Sequence, residues 1–384
     1  MHIGLITSEY PHSKVTQAAG IATSIKNLAV TLAKKGMPVT VFVYHQKEDL
    51  IIEDEGVTIH LIKKKNYKLF TWYFYRKHIQ NYVNAIVIEN QIDLIEAPDW
   101  TGITAFMSFK VPLVIRFHGS DAYFCKLDNR KQKIKNFLFE KLALKKANAF
   151  IAPTTYAGIE TRKIFGLSKE KIKTIHYGLQ LEHFVNIAPE EYEEKTILYI
   201  GTIIRKKGVL ELAEIFNKIV EKEPHAKLKL IGGDSSDIKT GTVSTFALMQ
   251  SVFSEKAKVN VNYLGKIPYS EIQNHIKDAN VCAFPSFAET LGMVTIESMA
   301  LNKPVVNTNI GWAQELIDDG INGYLVHPSN IEEYSKKILQ LFNNKALCIK
   351  IGDEARKKIE TTFDIEKLAL KNIDYYQSVL NIYS

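Results

Sequence analysis

Short apolar runs closed by glycine or polar residues alternate with longer stretches in which apolar positions recur every three or four residues, from one end of the chain to the other. The short runs read as strands buried on both faces and the periodic stretches as helices. Strands are predicted near residues 3–7, 39–44, 57–62, 92–96, 113–118, 149–153 and 173–176, and a second series near 196–201, 227–231, 259–264, 281–284, 305–307 and 324–326. Such alternation predicts parallel sheets in an α/β architecture. Between the two series lies an acidic, proline-containing stretch, 188–194, which reads as a linker. The expected division is therefore 1–187 and 188–362, with a last helix in 363–384. Two open parallel sheets imply two crevices at strand C-terminal ends, where ligands bind in such folds. No internal repeat or low-complexity segment interrupts the pattern.

Chemistry enters after the strand at 281–284. The segment Pro285-Ser286-Phe287-Ala288-Glu289-Thr290-Leu291-Gly292 turns into an apolar helix beginning at Met293 and Val294. A helix start leaves backbone N–H groups pointing outward and its dipole favours an anion, which the glycine lets approach closely. Glu297 lies one turn deeper, about 5–6 Å along the axis. That offset is similar to the distance from a diphosphate to a ribose diol. Residues 293–301 are apolar or small nearly all round, so a glutamate among them needs a partner, and a ligand hydroxyl pair would serve. The alternative is a solvent-facing Glu297 and an ordinary loop acid at Glu289. A second loop, Gly201-Thr202-Ile203-Ile204-Arg205-Lys206-Lys207-Gly208, carries three cations from a strand into a helix. Cations so placed either neutralise a leaving diphosphate or form solvated surface.

The Glu289-x7-Glu297 spacing, followed by Ala300-Leu301-Asn302-Lys303-Pro304-Val305-Val306 and Gly311, resembles the retaining glycosyltransferases of family 4 over the C-terminal half. The resemblance implies the GT-B fold, two Rossmann-like doubly wound domains facing across a cleft. The first would bind the acceptor and the second a nucleotide sugar, and the terminal helix would return to the first. It further implies that Glu297 holds the ribose, that Glu289 contacts the sugar, and that Gly292, Met293 and Val294 bind the diphosphate. Lys207-Gly208 matches the end of the family's basic loop, which Gly201 opens. The arginine that commonly follows that glycine is Thr202 here, and Arg205 is the candidate to supply the missing guanidinium. Gly233 in Ile231-Gly232-Gly233-Asp234 and Ile267 after Asn262-Tyr263-Leu264-Gly265-Lys266 complete the expected donor crevice. His118, at the end of a strand of the first domain, matches a position that contacts the transferred sugar; strand-end histidines elsewhere are commonly structural. Of a family double glycine ahead of the first helix, Ala19-Gly20 keeps only Gly20. Asp99 and Trp100 follow another strand, where they either contact an acceptor sugar or cap and pack the next helix.

The activity implied is retaining transfer from a UDP- or GDP-linked sugar to a glycan or lipid-linked glycan, in polysaccharide or glycolipid assembly. Front-face reaction, with the leaving phosphate taking the acceptor's proton, would need neither a cofactor nor a metal ion. His118, Lys207, Glu289 and Arg205 would be the catalytic group. A nucleotide-sugar epimerase and a non-catalytic nucleotide-sugar binder at a membrane surface are the competing readings, since one architecture hosts many activities.

Composition bounds the picture. The 384 residues are 46% hydrophobic and 24% charged, as in a globular protein, and disorder is not expected. Cys125, Cys282 and Cys348 are widely spaced, implying neither a disulfide framework nor a metal site and agreeing with a reducing cytoplasm. The first residues read as a buried strand rather than a signal peptide, and no apolar run has the length of a membrane span. No Asp-x-Asp motif occurs, and Glu53-Asp54-Glu55 reads as a solvated turn. The net charge of +7 is uneven, about +10 over residues 1–187 and about −3 over the rest, which suggests an anionic partner for the first domain. Cations interleave with apolar residues over 126–146, read as one amphipathic helix, and Lys63-Lys64-Lys65 and Lys68 precede an aromatic-rich helix at 70–77. This is not a nucleic-acid motif. It is consistent with peripheral contact to an anionic membrane and equally with helices packed on their own sheet with lysines in water.

Overall fold

The computed structural model describes residues 1–16 and 20–383. They form two compact units, Met1–Gln180 with Ile365–Ser384, and Leu181–Asp364. The first holds eight strands, β1 (Ile3–Thr7), β2 (Val39–Gln46), β3 (Leu50–Asp54), β4 (Val57–Lys63), β5 (Leu94–Pro98), β6 (Leu113–Arg116), β7 (Ala149–Ala152) and β8 (Ile172–Thr174), in the order β3-β4-β2-β1-β5-β6-β7-β8. The second holds β9 (Thr196–Ile200), β10 (Lys227–Ile231), β11 (Val261–Gly265), β12 (Val281–Phe284), β13 (Val305–Asn307) and β14 (Tyr324–Leu325), in the order β11-β10-β9-β12-β13-β14. Every residue of β1, β5, β6, β7, β9 and β12 is buried, which is why these strands read as mostly apolar runs, with Glu96 in β5 and Arg116 in β6 the charged exceptions. Helices cover them with one apolar stripe each. In the Val209–Lys222 helix that stripe is Val209, Leu212, Ala213, Phe216, Ile219 and Val220, all buried. Each unit is thus a Rossmann-like, doubly wound sheet, and the strand order reverses between β1 and β5 in one and between β9 and β12 in the other.

The structure departs from the sequence expectation in three places. Glu53 and Asp54 are not in a turn: they end β3, which pairs antiparallel with β4. Ile52 is buried while Ile51 is exposed, the period-two signature of an edge strand, and Glu55 and Gly56 make the hairpin turn with φ of 51° and 81°. Residues 126–146 are not one helix. Asp121–Leu127 and Ile134–Lys146 are separate, because Asn129 takes a left-handed φ of 51° and Arg130 N–H returns to the Cys125 carbonyl at 2.8 Å. The units divide after Gln180 rather than near 187. Asn186 donates to the Leu301 carbonyl at 2.9 Å and Glu193 N–H to that of Asp278 at 2.9 Å, so the expected linker belongs to the second unit.

The helix Ile365–Tyr383 belongs to the first unit. Its Leu368, Ala369, Tyr376 and Val379 join the core cluster that contains Leu5, Leu28 and Val41. Among the described residues no helix is long and apolar enough to cross a membrane.

Candidate active site

In the second unit the site grows from the ends of β9 and β12. Beyond β9 the chain runs through Gly201 to Gly208 between two neighbours. On one side Ile203 N–H donates to the Gly233 carbonyl at 2.9 Å and Ser235 N–H to that of Ile203 at 3.2 Å. On the other, Phe287 N–H donates to the Lys206 carbonyl at 2.8 Å. Gly208, at φ 68°, lies so close to β12's exit that a Cβ there would stand 1.8 Å from the Pro285 carbonyl oxygen. Only glycine allows this approach.

The close approach brings the Lys207 ammonium against the Glu289 carboxylate in an ion pair. Burial, with Lys206 beside it, pushes Lys207 below the ordinary lysine range, and the Glu289 carboxylate pulls the other way. Lys207, Glu289, Gly292 and Val294 line one hollow with Tyr199, Thr295, Asn307 and Trp312. Gly292, at φ 95°, opens the Met293–Ala300 helix with no side-chain cap; its carbonyl takes the Thr295 N–H at 3.0 Å, and Gly292, Val294 and Thr295 line the hollow at the helix start. Asn307 Nδ2 donates to Thr295 Oγ1 at 2.9 Å and fixes that first turn from the end of β13.

Glu297 is buried one turn further on, and the Tyr269 hydroxyl donates to its Oε1 at 2.7 Å. Burial pushes the carboxyl up and the phenol's hydrogen bond opposes this. Tyr269 begins the Tyr269–Asp278 helix two residues after Ile267, which is half-buried. Gly233 lies against Lys266, whose Cε would be 2.5 Å from a Cβ there. Arg205 stands apart from this set. Its Nε and Nη2 donate to the two carboxylate oxygens of buried Asp237 at 2.8 and 2.9 Å. The guanidinium expected to stand in for Thr202 is therefore engaged in tying the basic loop to the segment after β10.

The first unit offers a second polar hollow, at its own strand-order reversal, lined by Glu96, Arg116, His118, His176, Tyr177 and Asn372, with Ser24 and Ile25 of the Gly20–Lys34 helix. Gly20 is that helix's first residue; Ala19 lies outside the described residues. His118 follows β6, buried, and its N–H donates to Asp99 Oδ1 at 2.8 Å. Its ring stacks on Tyr177, whose hydroxyl lies 2.7 Å from Nδ1 and donates to the Phe117 carbonyl at 3.0 Å. A phenol has one proton. Given to Phe117, it leaves Nδ1–H to donate to the phenol oxygen and Nε2 as an acceptor. Burial, then the Arg116 charge, pushes His118 down to about 3, so the imidazole is neutral at pH 7. Burial pushes Asp99 up to about 7, against hydrogen bonds from the His118 and Gly119 backbone, and its Oδ2 has no partner among the described residues. Asp99 thus faces inward and braces the His118 loop, whereas Trp100 is 50% exposed.

Beneath His118 a buried network joins β5, β6 and the last helix. Arg116 donates to both oxygens of Glu96 at 2.7 and 2.8 Å and to Asn372 Oδ1 at 2.6 Å, and the Tyr376 hydroxyl donates to Glu96 Oε2 at 2.6 Å.

Residues 182–358 match the family model of glycosyl transferases group 1, and residues 18–183 match that of glycosyltransferase family 4. The chain belongs to the group 1/family 4 glycosyltransferases. This glycosyltransferase is similar to the uncharacterized glycosyltransferase MJ1607 of Methanocaldococcus jannaschii, with 24% identity over 400 residues covering 100% of this chain and 99% of the relative. It is also similar to the capsular polysaccharide biosynthesis glycosyltransferase CapM of Staphylococcus aureus, with 29% identity over 206 residues, 54% of this chain and 49% of CapM. Among solved structures, Anabaena HepE in complex with UDP-glucose superposes with a TM-score of 0.74 at 16% identity, covering 98% of this chain and 100% of HepE. At that identity the likeness shows the fold, GT-B.

Two site features of the glycosyltransferase are absent from the sequence reading. Tyr269 pairs with Glu297 across 28 residues, and Asp237 with Arg205 across 32. The only local signals were an aromatic residue beside Ile267 and an acid soon after Gly232-Gly233.

Proposed function

We propose that the glycosyltransferase moves a sugar, with retention at the anomeric carbon, from a UDP- or GDP-linked donor to a glycan or lipid-linked glycan, without a metal ion. The observation that carries this reading is the Lys207–Glu289 pair beside the uncapped helix start at Gly292, with buried Glu297 one turn deeper. In this reading the N–H groups of Met293 and Val294 bind the diphosphate, and Lys207 turns from Glu289 toward it as charge develops on the leaving oxygen. Ammonium and helix start together take the part a metal ion would play. Glu289, released by Lys207, accepts from a sugar hydroxyl. Glu297 accepts from the ribose diol, held in place by Tyr269, and Gly201, Gly233 and Ile267 border the donor. His118, neutral, offers Nε2 to a hydroxyl of the transferred sugar. A Glu289 carboxylate engaged by a sugar hydroxyl is not free to attack the anomeric carbon, which favours front-face reaction with the leaving phosphate as base. Arg205 holds the loop rather than the phosphate. UDP-glucose bound to HepE supports a nucleotide-sugar donor, and the capsular polysaccharide role in CapM's name supports a glycan acceptor.

Thermal stabilisation by UDP, GDP, ADP and CMP and their sugar conjugates tests the site, with Glu297→Gln as control. A nucleotide at a hundredfold its Kd should add about 2.7 kcal/mol, and the variant should lose most of this. Turnover that persists in chelator and yields a product of the donor's own anomeric configuration supports the full reading. Turnover that needs added magnesium or manganese, an inverted product or an epimerised donor refutes it.

A further inference from the structure

The first unit carries a surface that its fold leaves unused. In the Ile134–Lys146 helix, Glu140, Ala143 and Leu144 are buried, so the opposite side should be polar. Instead Ile134 is 78% and Leu138 49% exposed, flanked by Lys135, Lys141 and Lys145. The approach to the Thr71–Glu89 helix has the same character: Leu69 is 71%, Phe70 62% and Phe74 44% exposed, after exposed Lys63, Lys64, Lys65 and Lys68. Phe70 holds a left-handed φ of 51° at the helix start, a conformation that aromatic residues rarely adopt.

Far apart in sequence, the two segments are one surface in the fold. The Trp72 ring lies 5.0 Å from that of Phe139, and Lys135 Nζ is 5.6 Å from both centroids. The chain has no Asp or Glu between Glu55 and Glu89, and between Asp128 and Glu160 its only acid is Glu140. That carboxylate is buried and accepts from Asp121 N–H, Ala122 N–H and Gln132. The face therefore has exposed apolar side chains within a ring of lysines and no carboxylate of its own segments to answer them.

We infer that this face docks on an anionic lipid bilayer, with Leu69, Phe70, Ile134 and Leu138 entering the headgroup boundary and the lysines meeting lipid phosphates. Exposed apolar side chains gain from the acyl boundary what a protein-free solvent denies them, and each lysine near the surface adds a screened attraction. The loop after β5 is attached to the same face. Arg76, whose guanidinium lies over Phe139, donates to the Thr101 and Gly102 carbonyls, and a Cβ on Gly102 would stand 2.3 Å from the Phe139 backbone. Half-exposed Trp100 thus sits beside the docking face, where a lipid-borne acceptor would arrive. That acceptor class rests on the transferase reading above, whereas docking needs no turnover.

The test is cosedimentation of the full chain with phosphatidylcholine vesicles lacking or containing phosphatidylglycerol, read with the tryptophan emission shift. Binding is expected only to the anionic vesicles at low salt. Lys133→Gln/Lys135→Gln should weaken it about 25-fold, at about fivefold per lysine. Leu69→Ser/Phe70→Ser and Ile134→Ser/Leu138→Ser should each weaken it about tenfold or more, with circular dichroism unchanged because the side chains are exposed. Absence of binding to anionic vesicles overturns the inference. So does binding indifferent to both serine pairs, which would mark a polyanion or protein site. Vesicle binding without any transfer leaves the docking face standing and removes only the proposed reaction.

Discussion

Replacing Arg116 with leucine should strand a charge in the core of the first unit. Glu96 is 5% exposed and receives two hydrogen bonds from Arg116 and one from Tyr376. Without the guanidinium the carboxylate keeps one donor of three, and Asn372 Oδ1 loses its partner. Removing one member of such a buried pair costs about 3–5 kcal/mol, whereas replacing both with apolar residues of similar volume is near neutral. The unit has about 200 residues, and an unfolding entropy near 2.1 cal/mol/K per residue makes 3–5 kcal/mol a fall of about 7–12 °C in its Tm. Scanning calorimetry on wild type, Arg116→Leu, Glu96→Leu and the double variant gives the coupling energy directly. The double variant should be more stable than Arg116→Leu by about 2 kcal/mol or more. If the two melt together, Glu96 is not held as a buried anion by Arg116 and the network has been misread.

Two further outcomes follow from the site. Gly208→Ala should abolish nucleotide stabilisation while leaving the first unit's unfolding unchanged, because the added methyl would strike the Pro285 carbonyl and displace Lys207; retained stabilisation would show that the loop's position is not what binds. His118 and Asp99 should give opposed pH slopes. His118, depressed to about 3 from about 6.5, contributes stability at neutral pH that is lost as pH falls below about 6.5. Asp99, raised to about 7, contributes stability at low pH that is lost as pH rises from about 4 to 7. Asp99→Asn should therefore make stability climb with pH between about 4 and 6.5 relative to wild type, and His118→Gln should make it fall, each by on the order of 1 kcal/mol per pH unit; parallel urea-denaturation curves across that range would contradict both assignments.

What could be read beforehand followed the reach of each interaction. Buried parallel strands announce themselves in consecutive residues, so β1, β10, β12 and β13 fell where the apolar runs lay. The Gly292 turn and Glu297 were likewise legible, since helix starts and one-turn offsets are local. β3 was not, because three acids in a row outweighed two isoleucines whose meaning depends on pairing with β4. The break at Asn129 was hidden by lysines that fit a helix equally well. Arg205 shows the limit most clearly: its place in the loop was visible, but Asp237 comes from the segment after another strand and claims the guanidinium. The Glu96–Arg116–Tyr376 network was beyond any window, its members being up to 280 residues apart.

That separation has a consequence for how the chain is made. During synthesis β1 to β8 emerge first, yet Asn372 and Tyr376, which complete the shell around Glu96 and Arg116, come only after the whole of the second unit. The second unit is contiguous and can close while the first still waits for its final helix. A chain whose synthesis halts before that helix would have its second unit folded and its first with an open core, a natural substrate for chaperones and proteases.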